Sequence, residues 1–521
     1  MAGPPYTAVE AARASRRWLS IPVTLLLVLA LVVGLLVLSV GAVLLARYSG
    51  ESTPHYADDV RHFRYGSIGA ERASGIPYRM WRELPRLFPE RFAAALEQGD
   101  GAYAAFGFVY ERDARGRPFD LPIGISRRRV RGVDLVWLNC AVCHAGTWRA
   151  EEGGPRAIVD GMPSNNLDLH GFVAFLLGNA ADDRLRPDAL LSAIESNQGS
   201  LGFFERLVWR FYVLPTVRNE LLVRWSRMQP LLAAQPAWGP GRVDTFNPYK
   251  VIQFAIPFAT LTPQERIGTS DFPSIFNQAP RQGMHLHWDG NNSSLAERNL
   301  SAAVGAGLDL PNATRADHQA IERVARWLLN LRPPANPLRN GADRAAIARG
   351  REIYMRDCAA CHGYQGEAGF VFEGRYLGQV EPIGRIGTDR ARLDSYTQAF
   401  LDRQRAVLGF THFTKTDGYA NQPLDALWLR GPYLHNGSVP TLADLLAPPA
   451  ERPVAYLRGD DVLDPVRGGF RSPPCVAGQP VPAGRICIDT RLPGNGNAGH
   501  AYGTGLSAAG KSDLLAYLKT F

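Results

Sequence analysis

Two pentapeptides carry the most explicit chemistry in this chain. Cys140-Ala141-Val142-Cys143-His144 and Cys358-Ala359-Ala360-Cys361-His362 share the spacing C-x-x-C-H, the attachment signature of c-type haem. Two thiols three positions apart can reach the two vinyl groups on one porphyrin edge. The adjacent imidazole then lies beneath the iron as its proximal ligand. A redox dithiol would not need the following histidine twice, and zinc calls for matched C-x-x-C pairs close together. The expected cofactors are two covalently bound haem c groups, held at Cys140, Cys143, His144 and at Cys358, Cys361, His362. Cys475 and Cys487 remain, in a Pro- and Gly-rich loop. Haem c assembly implies an oxidising compartment, where two leftover cysteines are expected to pair; a third metal site is the alternative.

The elements that must position these groups are mostly helical. A β-like run, residues 133–138, leads into the first motif. Residues 201–225 have apolar positions at helical spacing and are expected to bury one face. Residues 230–285, rich in Pro and Gly, read as extended loop, and residues 318–331 as a helix stopped by Pro333-Pro334. Residues 342–355 form the helix before the second motif, with Ile347, Gly350, Ile353 and Tyr354 on neighbouring turns. The chain closes on a helix capped by Ser507 and carrying Leu514, Leu515 and Leu518. The expected fold class is mainly α: two cytochrome-c-like haem domains with long irregular loops, preceded by one transmembrane helix.

Residues 21–46 are 26 positions without a charge, long enough to cross a bilayer as a helix. Arg13, Arg16 and Arg17 precede them, so the positive-inside rule keeps the N-terminus in the cytoplasm. A cleaved signal peptide would have a shorter apolar region and a small-x-small site, which Val43-Leu44-Leu45-Ala46-Arg47 does not offer. The expected layout is a cytoplasmic segment 1–20, an inner-membrane anchor 21–46, and periplasmic haem domains over 48–332 and 338–521. The net charge of +8 is spread thinly. Its densest cluster, Arg127, Arg128, Arg129 and Arg131, lacks the length and interleaved aromatics of a nucleic-acid-binding stripe, so no nucleic-acid partner is expected.

Several segments bear a family resemblance. Trp288-Asp289-Gly290, with Leu295 seven residues after the Trp, resembles the W-D-G segment of bacterial diheme cytochrome c peroxidases and the related methylamine-utilisation enzyme. Ala426-Leu427-Trp428 followed by Pro432-Tyr433-Leu434-His435-Asn436-Gly437 resembles the P-Y-x-H-x-G stretch of their second haem domain. Leu138-Asn139, Gly161-Met162-Pro163 and Asn497-Ala498-Gly499-His500-Ala501-Tyr502-Gly503-Thr504 are similar to the diheme rubber-oxygenase group. The likeness runs loosely over residues 100–521. It implies that Trp288 lies between the haems and helps electrons pass. It also implies dioxygen chemistry at the N-terminal haem and two histidines on the second.

Departures from the peroxidase pattern are informative. The peroxidases carry an acid-base Glu about twenty residues beyond the W-D-G Trp; here that position is Leu308, with Asp309 beside it as the candidate acid. Their Met ligand is replaced by the stretch Ala447-Pro448-Pro449, so the resemblance points to His500 as sixth ligand of the second haem, with His435 as rival. Met162, His170, His285 and His287 are candidate ligands of the first haem, whose sixth position is expected to be open. Three functions follow: activation of dioxygen or peroxide at the N-terminal haem with the second as electron relay; a cytochrome c peroxidase; or an electron-transfer cytochrome without substrate. The redox partner would be a small cytochrome, a cupredoxin or a quinol-linked membrane donor. A tether argues against rubber, an insoluble polymer, as substrate.

Overall fold

The computed structural model describes residues 8–341 and 343–521; Met1–Thr7, part of the expected cytoplasmic segment, and Ala342 lie outside them. The chain is about 47% helical. The apolar run lies in the helix Ala8–Ser49. Within it Val23–Ser49 has 27 residues, and its most apolar 18-residue window has a mean hydropathy of 3.1. At 1.5 Å per residue that is about 40 Å, long and apolar enough to span a bilayer core of about 30 Å.

The chain divides into two units. One is the N-terminal helix with residues 129–134; the other holds residues 53–128 and 135–521, and so both C-x-x-C-H motifs. Pro333-Pro334, where a boundary between haem domains is expected, lies inside this second unit. Its strands are short and antiparallel, and among them Ile76–Pro77 lies beside Val133–Leu138, Ala145–Trp148 beside Ala157–Asp160, Arg242–Asp244 beside Thr269–Asp271, and Ala455–Arg458 beside Ile486–Asp489. The last pair carries the disulfide between Cys475 and Cys487, as expected for the two leftover cysteines.

Helix formation follows local signals. Arg315–Leu329 starts at a capping box in which Thr314 and Asp317 satisfy each other's backbone. Asp317 also receives Arg128 and Arg72 at 2.5 and 2.9 Å. Arg344–Asp357 packs against Ala508–Leu518, and Gly350 makes the crossing possible. A Cβ there would lie 1.9 Å from the Asp513 carbonyl oxygen, so only glycine lets the backbones approach this closely. Tyr354, Leu514, Tyr517, Leu518 and Phe521 fill the contact.

Residues 201–225 bury one helical face, as expected. Trp209, Val213, Leu214 and Leu221 are buried, but Phe203 and Phe211 remain 72% and 68% exposed. The stretch is helical throughout, Phe203–Val208 and Leu214–Ala233 flanking an i→i+5 turn. Its apolar residues are too many for the single face that the body covers.

Candidate functional site

The first motif sits where strand Val133–Leu138 ends and a single turn, Ala141–His144, begins. Asn139, buried between them, fixes the junction. Its Oδ1 accepts from the Ala141 amide at 3.0 Å, and its Nδ2 donates to the Gly66 carbonyl at 3.0 Å. His144 Nδ1 is paired with the Pro273 carbonyl at 3.0 Å, which orients the ring and leaves Nε2 for a metal. Burial, then the charge of Arg298, lowers the His144 pKa to about 4, so the ring is a neutral donor. Burial pushes the Cys140 and Cys143 thiols up to about 11 and 12.

A cavity of about 360 Å³ opens beside this motif. Cys140, Cys143, His144, His287, Trp288 and Arg298 line it, with apolar walls from Val173, Leu176, Leu177 and Phe246. Of the four candidate ligands of the first haem, the fold brings His287 alone to this lining. Met162 lies in a core cluster with Phe276 and Trp428. His170 meets the edge of Trp238, and His285 pairs with the Gly290 carbonyl at 2.9 Å. His287 has φ +65° and pairs through Nδ1 with Asn291 Oδ1 at 2.6 Å.

Trp288 also lines the cavity, its Nε1 donating to the Asp271 carbonyl at 2.8 Å. Beyond it the ring packs against Ile383, Leu393 and Tyr419. Asp309 is not brought to the cavity, so the proposed acid has no geometry for that role. It precedes the short turn Leu310–Asn312, and its Oδ2 accepts from Asn312 at 2.8 Å. Counting along the sequence reached it, but this turn holds its carboxylate elsewhere.

At the second motif the turn Ala359–His362 follows Arg344–Asp357. His362 Nδ1 pairs with the Gln422 carbonyl at 2.8 Å. The His500 ring faces it with 6.1 Å between ring centres. His500 has φ +44° and its amide donates to the Ile386 carbonyl at 2.8 Å, while its Nδ1 is buried without a hydrogen-bond partner. A metal–imidazole bond is about 2 Å and a ring nitrogen lies roughly 1 Å from the ring centre, so two imidazoles on one metal have centres about 6 Å apart. His435 is engaged elsewhere: it stacks on Tyr419 at 4.0 Å, and Nε2 shares a 2.9 Å hydrogen bond with the Tyr419 hydroxyl. The donor sets, two thiols and one oriented imidazole at each motif, fit covalently attached haem c.

Sequence reasoning missed Gln422. Its carbonyl holds His362, and its Nε2 donates to the His287 carbonyl at 3.0 Å. No motif or periodicity marks a residue whose work is done by its backbone oxygen and one amide hydrogen.

Comparison with known proteins agrees with this chemistry. Residues 418–457, which contain Gln422, Trp428 and His435, match the family described as RoxA-like, cytochrome c-like. A cytochrome c-like domain implies covalently bound haem c. Among curated proteins the chain is similar to two from Sinorhizobium fredii. It is 28% identical to the uncharacterized protein y4iM over 300 residues, 51% of this chain and 65% of the relative. It is 39% identical to the uncharacterized protein y4iJ over 111 residues, 20% of this chain and 17% of that relative. The chain thus spans just under two thirds of one relative's length and a small part of the other's.

Proposed function

We propose that the protein is a membrane-anchored, periplasm-facing diheme c-type cytochrome and an oxidoreductase that acts on dioxygen or peroxide at its N-terminal haem. The observation that carries this reading is the asymmetry of the two motifs. His362 faces a second imidazole at 6.1 Å, whereas among the described residues no second imidazole faces His144 in this way. When bound, haem c supplies an iron that exchanges single electrons and, where a position is open, combines with dioxygen or peroxide.

The residues divide the work around it. Cys140, Cys143, Cys358 and Cys361 form the thioethers. His144 and His362 act as proximal ligands, each oriented by a backbone carbonyl. His500 closes the second site, so its role is electron storage and relay. Trp288, touching the first cavity on one side and the Ile383 and Tyr419 cluster on the other, is the bridging aromatic. Largely apolar walls line the first cavity, which would hold the haem, and limit water around it. Electrons come from a small cytochrome, a cupredoxin or a quinol-linked membrane donor. The 26-residue uncharged run, which ends without a small-x-small site, supports a retained anchor.

A cytochrome c peroxidase is less well supported, since Asp309 does not reach the cavity and the two aspartates that line it are engaged, Asp271 with Arg458 at 2.8 Å and Asp244 with Asn247 at 2.7 Å. A cytochrome confined to electron transfer would close both faces of each haem with protein ligands, and among the described residues no second imidazole faces His144 as His500 faces His362. Absorption spectra of the reduced holoprotein with and without carbon monoxide test the division. One of the two haems should bind the gas; binding at both, or at neither, ends this reading.

A further inference from the structure

Helix Leu295–Gly305 turns Arg298, Ala302 and Gly305 toward the first cavity, as residues four and three apart must on one helical face. Arg298 is 9% exposed, and its Nε and Nη2 have no hydrogen-bond partner. Among the described residues no carboxylate lies within ion-pair distance of it. The other buried arginines of this body show how unusual that is. Arg128 pairs with Asp317 at 2.5 Å, Arg281 with Asp425 at 2.5 Å, Arg392 with Asp289 at 3.0 Å, and Arg458 with Asp271 at 2.8 Å. Arg452, also without a carboxylate, donates instead to the carbonyls of Asn497 and Gly499 at 2.6 and 2.9 Å, and Arg242 keeps two unpartnered nitrogens, but neither lines the cavity.

A second cavity residue repeats the signal. Gln278, 1% exposed, has neither Oε1 nor Nε2 hydrogen-bonded. A buried cation without a counter-charge is among the costliest groups a fold can hold. Water can fill a donor's hydrogen bonds but cannot neutralise its charge. The fork of a guanidinium matches the two oxygens of a carboxylate.

We propose that Arg298 is the anchor of a carboxylate-binding subsite in the wall of the first cavity, filled either by a haem propionate or by the carboxylate of a diffusible substrate. The subsite rests on the reading of the first motif as a haem site, and it adds what that reading lacks: a cation without a counter-charge that fixes the orientation of what lies in a largely apolar chamber. A cation at this point favours the reduced, less positive form of a neighbouring haem.

The test uses the full-length holoprotein with Arg298→Gln and Arg298→Lys. Redox titration followed optically reads each haem's midpoint potential, and sodium benzoate is the diffusible probe. If a propionate fills the subsite, Arg298→Gln lowers the potential of the carbon-monoxide-binding haem alone, Arg298→Lys restores most of it, and benzoate does nothing. If a diffusible carboxylate fills it, benzoate shifts the wild-type Soret band and melting temperature saturably, and Arg298→Gln loses both responses. Wild-type potentials in both variants, with no benzoate response in any protein, overturn the proposal. A wild-type chain carrying fewer than two haems refutes the functional reading above; the benzoate melting shift then still decides the subsite.

Discussion

Replacing His500 by glycine separates the two haem sites most sharply. Glycine is the appropriate residue because the backbone there has φ +44°, where a Cβ adds strain. The rings of His362 and His500 are 6.1 Å apart. With metal–nitrogen bonds of about 2 Å, that spacing leaves room for one metal and no further ligand. Deleting the His500 side chain empties one axial position and creates a void the size of an imidazole, while the amide that donates to Ile386 is retained. Wild-type reduced protein should bind one carbon monoxide per chain and the variant two, so the amplitude of the gas-induced difference spectrum rises about twofold. Added imidazole should restore the wild-type stoichiometry by refilling the void. Haem content and the melting curve are measured on the same samples, because loss of haem would mimic loss of binding. The assignment of His500 is refuted if the variant, with both haems present, still binds one carbon monoxide.

Two further perturbations probe other parts of the argument. Trp288→Phe keeps an aromatic ring but removes the 2.8 Å bond from Nε1 to the Asp271 carbonyl, a loss of about 1 kcal/mol in stability; electron transfer between the haems after flash photolysis should slow. An unchanged rate would take Trp288 off the route. Asp317→Asn removes the carboxylate that receives Arg128 and Arg72. Burial raises the Asp317 carboxyl pKa, but hydrogen bonds from Thr314 and Arg128 outweigh it and hold the group at about 2, against an ordinary 3.8. A depressed folded pKa gives stability that is present above about pH 4 and lost as pH falls toward about 2, here roughly 2.5 kcal/mol. Melting curves should therefore show the variant well below wild type at neutral pH, with the gap closing over that acid window. A gap that stayed constant to pH 2 would refute the coupling.

The haem chemistry was legible because C-x-x-C-H encodes its geometry locally: three ligating groups within five residues need no knowledge of the fold. The helix crossing at Gly350 was legible only in part, since the pattern marks a helix but not the 1.9 Å approach that forbids a Cβ. His500 lies 138 positions beyond His362, and only family resemblance singled it out among the histidines. Asp309 shows the opposite case. A position counted from Trp288 assumes the intervening turn, and the turn at Leu310–Asn312 points the carboxylate at Asn312 instead. Composition could not distinguish Met162, His170, His285 and His287 either, because long-range contacts decide which of them reach the cavity.

What makes an unequal pair of sites workable is the rigidity between them. His362 Nδ1 is held by the Gln422 carbonyl, and the Gln422 side chain holds the His287 carbonyl. The next residue, Trp288, donates to the Asp271 carbonyl, and two residues further on Pro273 holds His144 Nδ1. Every step between the two imidazoles is thus a covalent bond or a hydrogen bond of 3.0 Å or less. Arg281 and Asn277 brace the same region through Asp425, at 2.5 and 2.8 Å. Side chains locked by a second layer of hydrogen bonds keep their geometry without paying for reorganisation at each turnover. On the diheme reading, a strut of this kind would fix the separation across which electrons pass, with the cavity beside His144 holding the first haem.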